Sequence, residues 1–238
     1  MKRPFHLFAI LATIALTASR PLPPEVANPA TFLADVKTEL TKQWPKNRSI
    51  TLVFHGHSVP AGYFKTPIVN TLAAYPQQLL KRLKDKYPYA VINVTITAVG
   101  GENSEQGAAR FQTEVLSHKP DVLFIDYALN DRKIGLEKAK QSWQAMIEQA
   151  QQAGIKVILL TPSPDLKVDM ANADNILNQH ANQIRQLADT YQTGLVDSYK
   201  AFDGQRQQGD SLGRYMAQNN HPNEMGHVLI VDELVKWF

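Results

Sequence analysis

The chain reads as an α/β protein, a three-layer α/β/α sandwich with a central sheet of about five parallel strands. Three observations carry this. Short runs rich in Val, Ile and Leu alternate with longer stretches whose apolar residues recur at helical spacing. That alternation implies parallel strands joined by right-handed crossovers, with helices on both faces. No internal repeat or linker splits the body of the chain, and its length suits one domain.

The elements follow in order. Met1-Lys2-Arg3 is basic, Leu7 to Leu16 is apolar and Thr17-Ala18-Ser19 is small. This is the layout of a signal peptide over residues 1–19, with an apolar run too short for a comfortable membrane span. Without it the net charge of +3 loses Lys2 and Arg3 and falls to +1. A near-neutral body argues against nucleic acid or an anionic membrane as partner. No cysteine is present, which excludes disulfides, thiolate chemistry and a lipid anchor on cysteine. Residues 20–48 form an N-terminal extension: a proline-rich lead-in, then a helical stripe over Thr31 to Trp44 ended by Pro45.

The main domain is expected over residues 49–238. Ser49 to Phe54 is a β-branched run read as a buried parallel strand. It leads into His55-Gly56-His57-Ser58, and a loop from Ala61 to Thr71 follows. Ala73 to Tyr87 is read as a helix, Ala90 to Val99 as the second strand, closed by Gly100-Gly101, and Ser104 to Ser117 as the next helix. Asp121 to Tyr127 is the third strand, left through Ala128-Leu129-Asn130-Asp131. Leu136 to Ala153 is a helix with Gly154 as its C-cap, Lys156 to Leu160 the fourth strand, and Ile176 to Tyr191 a helix. Gly194 to Val196 starts a short fifth strand. Ser198 to Asn220, polar and Gln-rich, is expected to be mostly irregular, and Glu224 to Phe238 is the final helix.

Ligands bind at the carboxyl ends of strands in open parallel sheets. The segments after the first three strands supply Ser58, Gly101 and Asn130, and a loop before the last helix supplies His221. Taken singly, these are ordinary turn, cap and loop residues. Together they fit acyl transfer. Ser58 would attack a carbonyl and His221 would act as general base. The N–H groups of Ser58 and Gly101 and the amide of Asn130 would receive the oxyanion. Tyr63 and Phe64, in the loop after Ser58, and His57 are candidate substrate-binding residues, although His57 also reads as a polar group supporting the site from behind, with His55 packed at the strand end.

The ordered blocks Gly56-His57-Ser58, Gly101-Glu102-Asn103-Ser104, Ala128-Leu129-Asn130-Asp131 and Gln218-Asn219-Asn220-His221-Pro222-Asn223 resemble those of the SGNH hydrolases, also called GDSL esterases. The resemblance covers about Ser49 to Phe238. It implies a flavodoxin-like sandwich, Ser-His chemistry, and no cofactor or metal. The chain departs from that pattern at three places. His57 stands where the family has Asp, Ala128 where it has Gly, and Gln218 where its triad acid belongs. The ring of His221 is therefore expected to work in a dyad held by a backbone carbonyl, with Glu224, Asp203 and Asp210 as other acids within reach in sequence.

His55-x-His57 also has metal-ligand spacing, with His221 and His227 as further donors. Against this, the chain lacks the eight β/α units of a metal-binding barrel. An α/β-hydrolase elbow fits worse, since Pro60 stands where Gly-x-Ser-x-Gly needs its second glycine. The expected function is an exported, periplasmic or extracellular, esterase removing short acyl groups such as acetyl from a small-molecule or carbohydrate ester. Two further readings stand beside it. One is a lysophospholipase or thioesterase on the same site. The other is a non-catalytic binding protein that has lost its acid at Gln218.

Overall fold

The computed structural model describes residues 27–238, so the expected signal peptide lies outside the described residues. Helix α1 (Ala34–Leu40) precedes β1 (Ser49–Gly56), the single turn α2 (Ser58–Ala61), α3 (Tyr75–Lys86) and β2 (Val91–Ile96). Two short helices, α4 (Ser104–Ala109) and α5 (Phe111–Glu114), lead to β3 (Val122–Asp126) and the turn α6 (Ala128–Asp131). Then come α7 (Leu136–Gln152), β4 (Lys156–Leu160), α8 (Ile176–Tyr191), β5 (Gly194–Val196) and α9 (Ser198–Gln207). The strands β6 (Met216–Gln218) and β7 (His221–Pro222) precede α10 (Glu224–Leu234).

The five main strands are all parallel, in the order β2-β1-β3-β4-β5. The chain steps from β1 outward to β2, then returns to lay β3 on the other side of β1. This reversal opens a crevice at the carboxyl ends of β1 and β3, where such sheets receive ligands. Strand alternation fills both faces. Leu52, Phe54 and Phe124 pack with residues of α1, α3 and α10. Val53, Leu123 and Ile125 pack with Phe111 and with Trp143, Met146 and Ile147 of α7.

Two segments differ from the sequence reading. The stretch expected to be irregular after β5 begins with the ten-residue helix α9. Asp197 caps it through Lys200 N, and Tyr199 and Phe202, one turn apart, bury its apolar side. The stretch ends in β6, which pairs antiparallel with β7. The helix expected over Ser104 to Ser117 breaks at Arg110, whose backbone (φ −107°, ψ 6°) leaves helical geometry. Its side chain is gripped elsewhere, as described below.

Candidate active site

The close approach of β1 and β3 builds the first part of the site. A Cβ on Gly56 would lie 2.4 Å from the carbonyl oxygen of Asp126, so only glycine lets the strands meet there. One residue on, His57 N donates to Asp126 O at 3.2 Å. His57 then caps α2, its Nδ1 accepting from Val59 N at 3.1 Å. Ser58 is the first residue of that turn, so its own N–H has no partner within the turn.

His221 comes from the far end of the chain. The β6–β7 ladder pairs it with Gln218, and Asn223, which caps α10, is tied to Tyr215 O and Arg214 O. The ring arrives with Nε2 2.9 Å from Ser58 Oγ. Its Nδ1 lies 3.1 Å from Phe64 O and 2.7 Å from Gln218 Nε2. Ser58 and His221 are each 6% exposed, so the pair is sheltered yet open on one side. Burial is the main cause that holds His221 below the ordinary histidine pKa of 6.5. The Phe64 carbonyl partly opposes this, and the neighbouring His57 ring adds slightly to the lowering. A hydroxyl 2.9 Å from an imidazole nitrogen has the arrangement for proton transfer from alcohol to ring in the tautomer that leaves a lone pair on that nitrogen.

Asp203, Asp210 and Glu224 do not reach His221. Asp203 binds Arg206 and Gln207, Asp210 binds Tyr215 and Arg214, and Glu224 is exposed at the start of α10.

The turn after β2 builds the facing side. Val99 N donates to Gly56 O at 3.0 Å, which lays this turn against the end of β1. Gly101 has φ +85° with open space where a Cβ would stand, so its conformation rather than crowding calls for glycine. Asn130, in α6 beyond β3, donates one amide hydrogen to Glu102 O at 2.8 Å, which leaves the second for another acceptor. Gly101 and Asn130 are thereby joined in one rim.

Sequence reasoning missed what fixes this rim. Arg110 donates from Nε to Glu102 Oε1 at 2.9 Å and from Nη2 to Glu102 Oε2 and Thr97 O. Tyr127 Oη donates to the same carboxylate. Asp131 is buried, with Oδ1 accepting from Ser104 N and Oδ2 from Trp143 Nε1, both at 2.7 Å. It thus binds α4, α6 and α7 together. Glu102 and Asp131 lie inside the blocks singled out above, but nothing in the sequence pointed to Arg110.

His57 does not line the crevice. It is fully buried, with Nε2 3.3 Å from Asp126 Oδ1. Because Val59 N donates to its Nδ1, the proton of the neutral ring sits on Nε2 facing that carboxylate. Asp126 also accepts from Tyr75 Oη at 3.1 Å. The expectation that His57 contacts substrate is therefore corrected: the ring supports the Ser58 turn from beneath. His55 faces away, with Nδ1 2.9 Å from Thr97 Oγ1 and Nε2 3.1 Å from Tyr127 Oη. Among the described residues no group of three or more His, Cys, Asp or Glu is arranged to hold a metal ion.

Tyr63 does border the site. It is 38% exposed, its ring centroid lies 5.9 Å from that of His221, and its phenol end lies against Gly100, where a Cβ would approach it to 2.6 Å. Phe64 is half-buried and meets His221 through its main-chain oxygen. Among the described residues no helix is long and apolar enough to cross a membrane.

Residues 54–229 match the GDSL-like lipase/acylhydrolase family. An acetylxylan esterase, Axe2 of Geobacillus stearothermophilus, superposes with a TM-score of 0.69 at 19% identity, covering 79% of this chain and 93% of that one. A two-domain esterase (CEX) active on acetylated mannans, co-crystallised with mannopentaose, superposes with a TM-score of 0.71 at 18% identity over 89% of this chain. The match takes in only 54% of that esterase. In sequence, an uncharacterized lipoprotein, YqeF of Bacillus subtilis (strain 168), is 31% identical over 31% of this chain and 33% of its own length.

Proposed function

The chain belongs to the GDSL-like lipase/acylhydrolase family, and we propose that it is an exported serine esterase that removes acetyl or similarly short acyl groups from carbohydrate esters. The observation that carries this is the 2.9 Å contact between Ser58 Oγ and His221 Nε2, with Phe64 O 3.1 Å from Nδ1. In this reading Ser58 Oγ attacks the ester carbonyl carbon as its proton passes to His221 Nε2. The imidazolium is then held by Nδ1–H donating to Phe64 O, a peptide dipole where a triad would have a carboxylate. The carbonyl oxygen, now anionic, takes hydrogen bonds from Ser58 N–H, Gly101 N–H and the free hydrogen of Asn130. Collapse of the intermediate breaks the ester C–O bond, and His221 returns the proton to the leaving alcohol. Water, deprotonated by the same ring, releases the acid.

Two features support a short acyl group on a carbohydrate. Tyr63 stands over Gly100 beside the rim, which narrows the space for an acyl chain. The fold relatives act on acetylated xylan and acetylated mannans. Export is supported by the pattern of residues 1–19 and by the lipoprotein relative.

The test is turnover of a p-nitrophenyl ester series and of acetylated oligosaccharides by wild type and Ser58→Ala. Wild type is expected to prefer acetate, to lose activity with Ser58→Ala, and to be labelled at Ser58 by a serine-directed phosphonate. Rates that rise with acyl length, or turnover of lysophospholipid, would favour the lysophospholipase reading. Failure of the phosphonate to label folded protein would overturn the esterase.

A further inference from the structure

Nδ1 of His221 has two neighbours that make opposite demands on it. Phe64 O is an acceptor and requires a proton on Nδ1. The side chain of Gln218 requires the reverse, and Thr66 decides which way it faces. Thr66 N lies 3.1 Å and Thr66 Oγ1 3.2 Å from Gln218 Oε1. A backbone N–H can only donate, so the Gln218 atom facing it is the carbonyl oxygen. Gln218 Nε2 then faces His221 Nδ1 at 2.7 Å. An N–H pointing at Nδ1 requires a lone pair there, which puts the proton of the neutral ring on Nε2. A ring in that state presents N–H, not a lone pair, to Ser58 Oγ.

Resting on the esterase reading above, we propose that Gln218, oriented by Thr66, is a positioning residue that holds His221 in the tautomer unable to take the Ser58 proton. Reaction proceeds from the other tautomer, with Nδ1–H on Phe64 O and the Gln218 amide displaced. Gln218 therefore restrains the base it touches. A carboxylate in its place could accept from Nδ1–H and stabilise the imidazolium that forms during reaction, whereas the amide has to move aside.

Removing the donor tests this. Gln218→Ala, and the near-isosteric Gln218→Met should the first variant fold poorly, are expected to raise kcat on p-nitrophenyl acetate about threefold to tenfold, the worth of one hydrogen bond. Gln218→Glu is expected to raise it further and to move the acid limb of the pH–rate profile to higher pH. A residue with only a structural role would lower kcat and leave that limb in place. The tautomer itself is read by 15N NMR of histidine-labelled full-length protein at pH 8, with His221 assigned from His221→Ala. Wild type should show the proton on Nε2, and Gln218→Ala should show it on Nδ1. A wild-type ring already protonated at Nδ1, or a fall in kcat for both Gln218→Ala and Gln218→Met, overturns the proposal. If neither wild type nor any variant turns over ester, the esterase reading fails, and the NMR comparison still decides the tautomer.

Discussion

At the scale of single residues, the chemistry rests on which atoms point where. Asn130 spends one amide hydrogen on Glu102 O, and the proposed mechanism gives the other to the oxyanion. Asn130→Ala should therefore lower kcat by roughly 10²- to 10³-fold with little change in KM, as expected for a donor engaged in the transition state. Steady-state kinetics on p-nitrophenyl acetate check this. Burial lowers the pKa of His221, so the ring stays neutral to more acid conditions than a free histidine. The acid limb of kcat/KM is expected below pH 6.5. Tyr63→Ala should widen the acyl range, raising the butyrate-to-acetate ratio of kcat/KM, because the phenol no longer stands over Gly100. Ser58, Gly101, Asn130 and His221, the proposed catalytic set, stand out in the sequence because each lies at a strand end or before a helix. For His57 the sequence leaves two readings open, contact with substrate or support from behind. The same Gly-x-Ser spacing suits a ring that faces the crevice or one that turns down onto Asp126, and only the strand register decides.

At the scale of elements, α4 owes its place to buried polar ties more than to its length. Arg110 clamps Glu102 beside Gly101, and Asp131 clamps Ser104. Glu102→Gln replaces a two-pronged ionic contact with a weaker neutral one. It is expected to lower kcat about tenfold while KM and far-ultraviolet circular dichroism hold steady. That outcome would show that the rim's aim, not its existence, has been disturbed. The sequence indicated that a helix follows the Gly100-Gly101 turn but not that it breaks at Arg110. Helical periodicity runs through the break, where Arg110 turns its side chain to Glu102, eight residues back. The β6–β7 ladder was equally hidden. Strands of three and two residues leave no alternation to detect, yet they set the position of His221. The central strands β1, β3 and β4 were legible because burial on both faces demands nearly unbroken apolar runs, and the edge strand β2 through its alternating β-branched residues.

At the scale of the whole molecule, three buried histidines set an acid limit. Burial drives His55 and His227 down to about 3, and His180 to about 4, with Arg110 adding to the effect on His55, Arg132 on His180 and His221 on His227. The unfolded chain takes up protons at these rings near 6.5 while the folded one does not, so stability is full above that pH and is lost as the pH falls. Each ring contributes at most about 1.4 kcal/mol per pH unit between roughly 6.5 and 4.5. Thermal unfolding followed by calorimetry should show Tm dropping steadily across that window, before most carboxylates titrate. His55→Gln should flatten the drop.

The oxygen 3.1 Å from Nδ1 of His221, to which the proposed mechanism gives the imidazolium, belongs to the peptide backbone at Phe64, and that changes how such a site can be damaged or altered. A carboxylate is lost with one codon, whereas every amino acid placed at position 64 brings the same carbonyl. Its location depends instead on the count of residues in the hairpin from Gly62 to Asn70, closed by Asn70 N donating to Gly62 O. Insertions and deletions there, rather than point changes, are the lesions this architecture is built to feel.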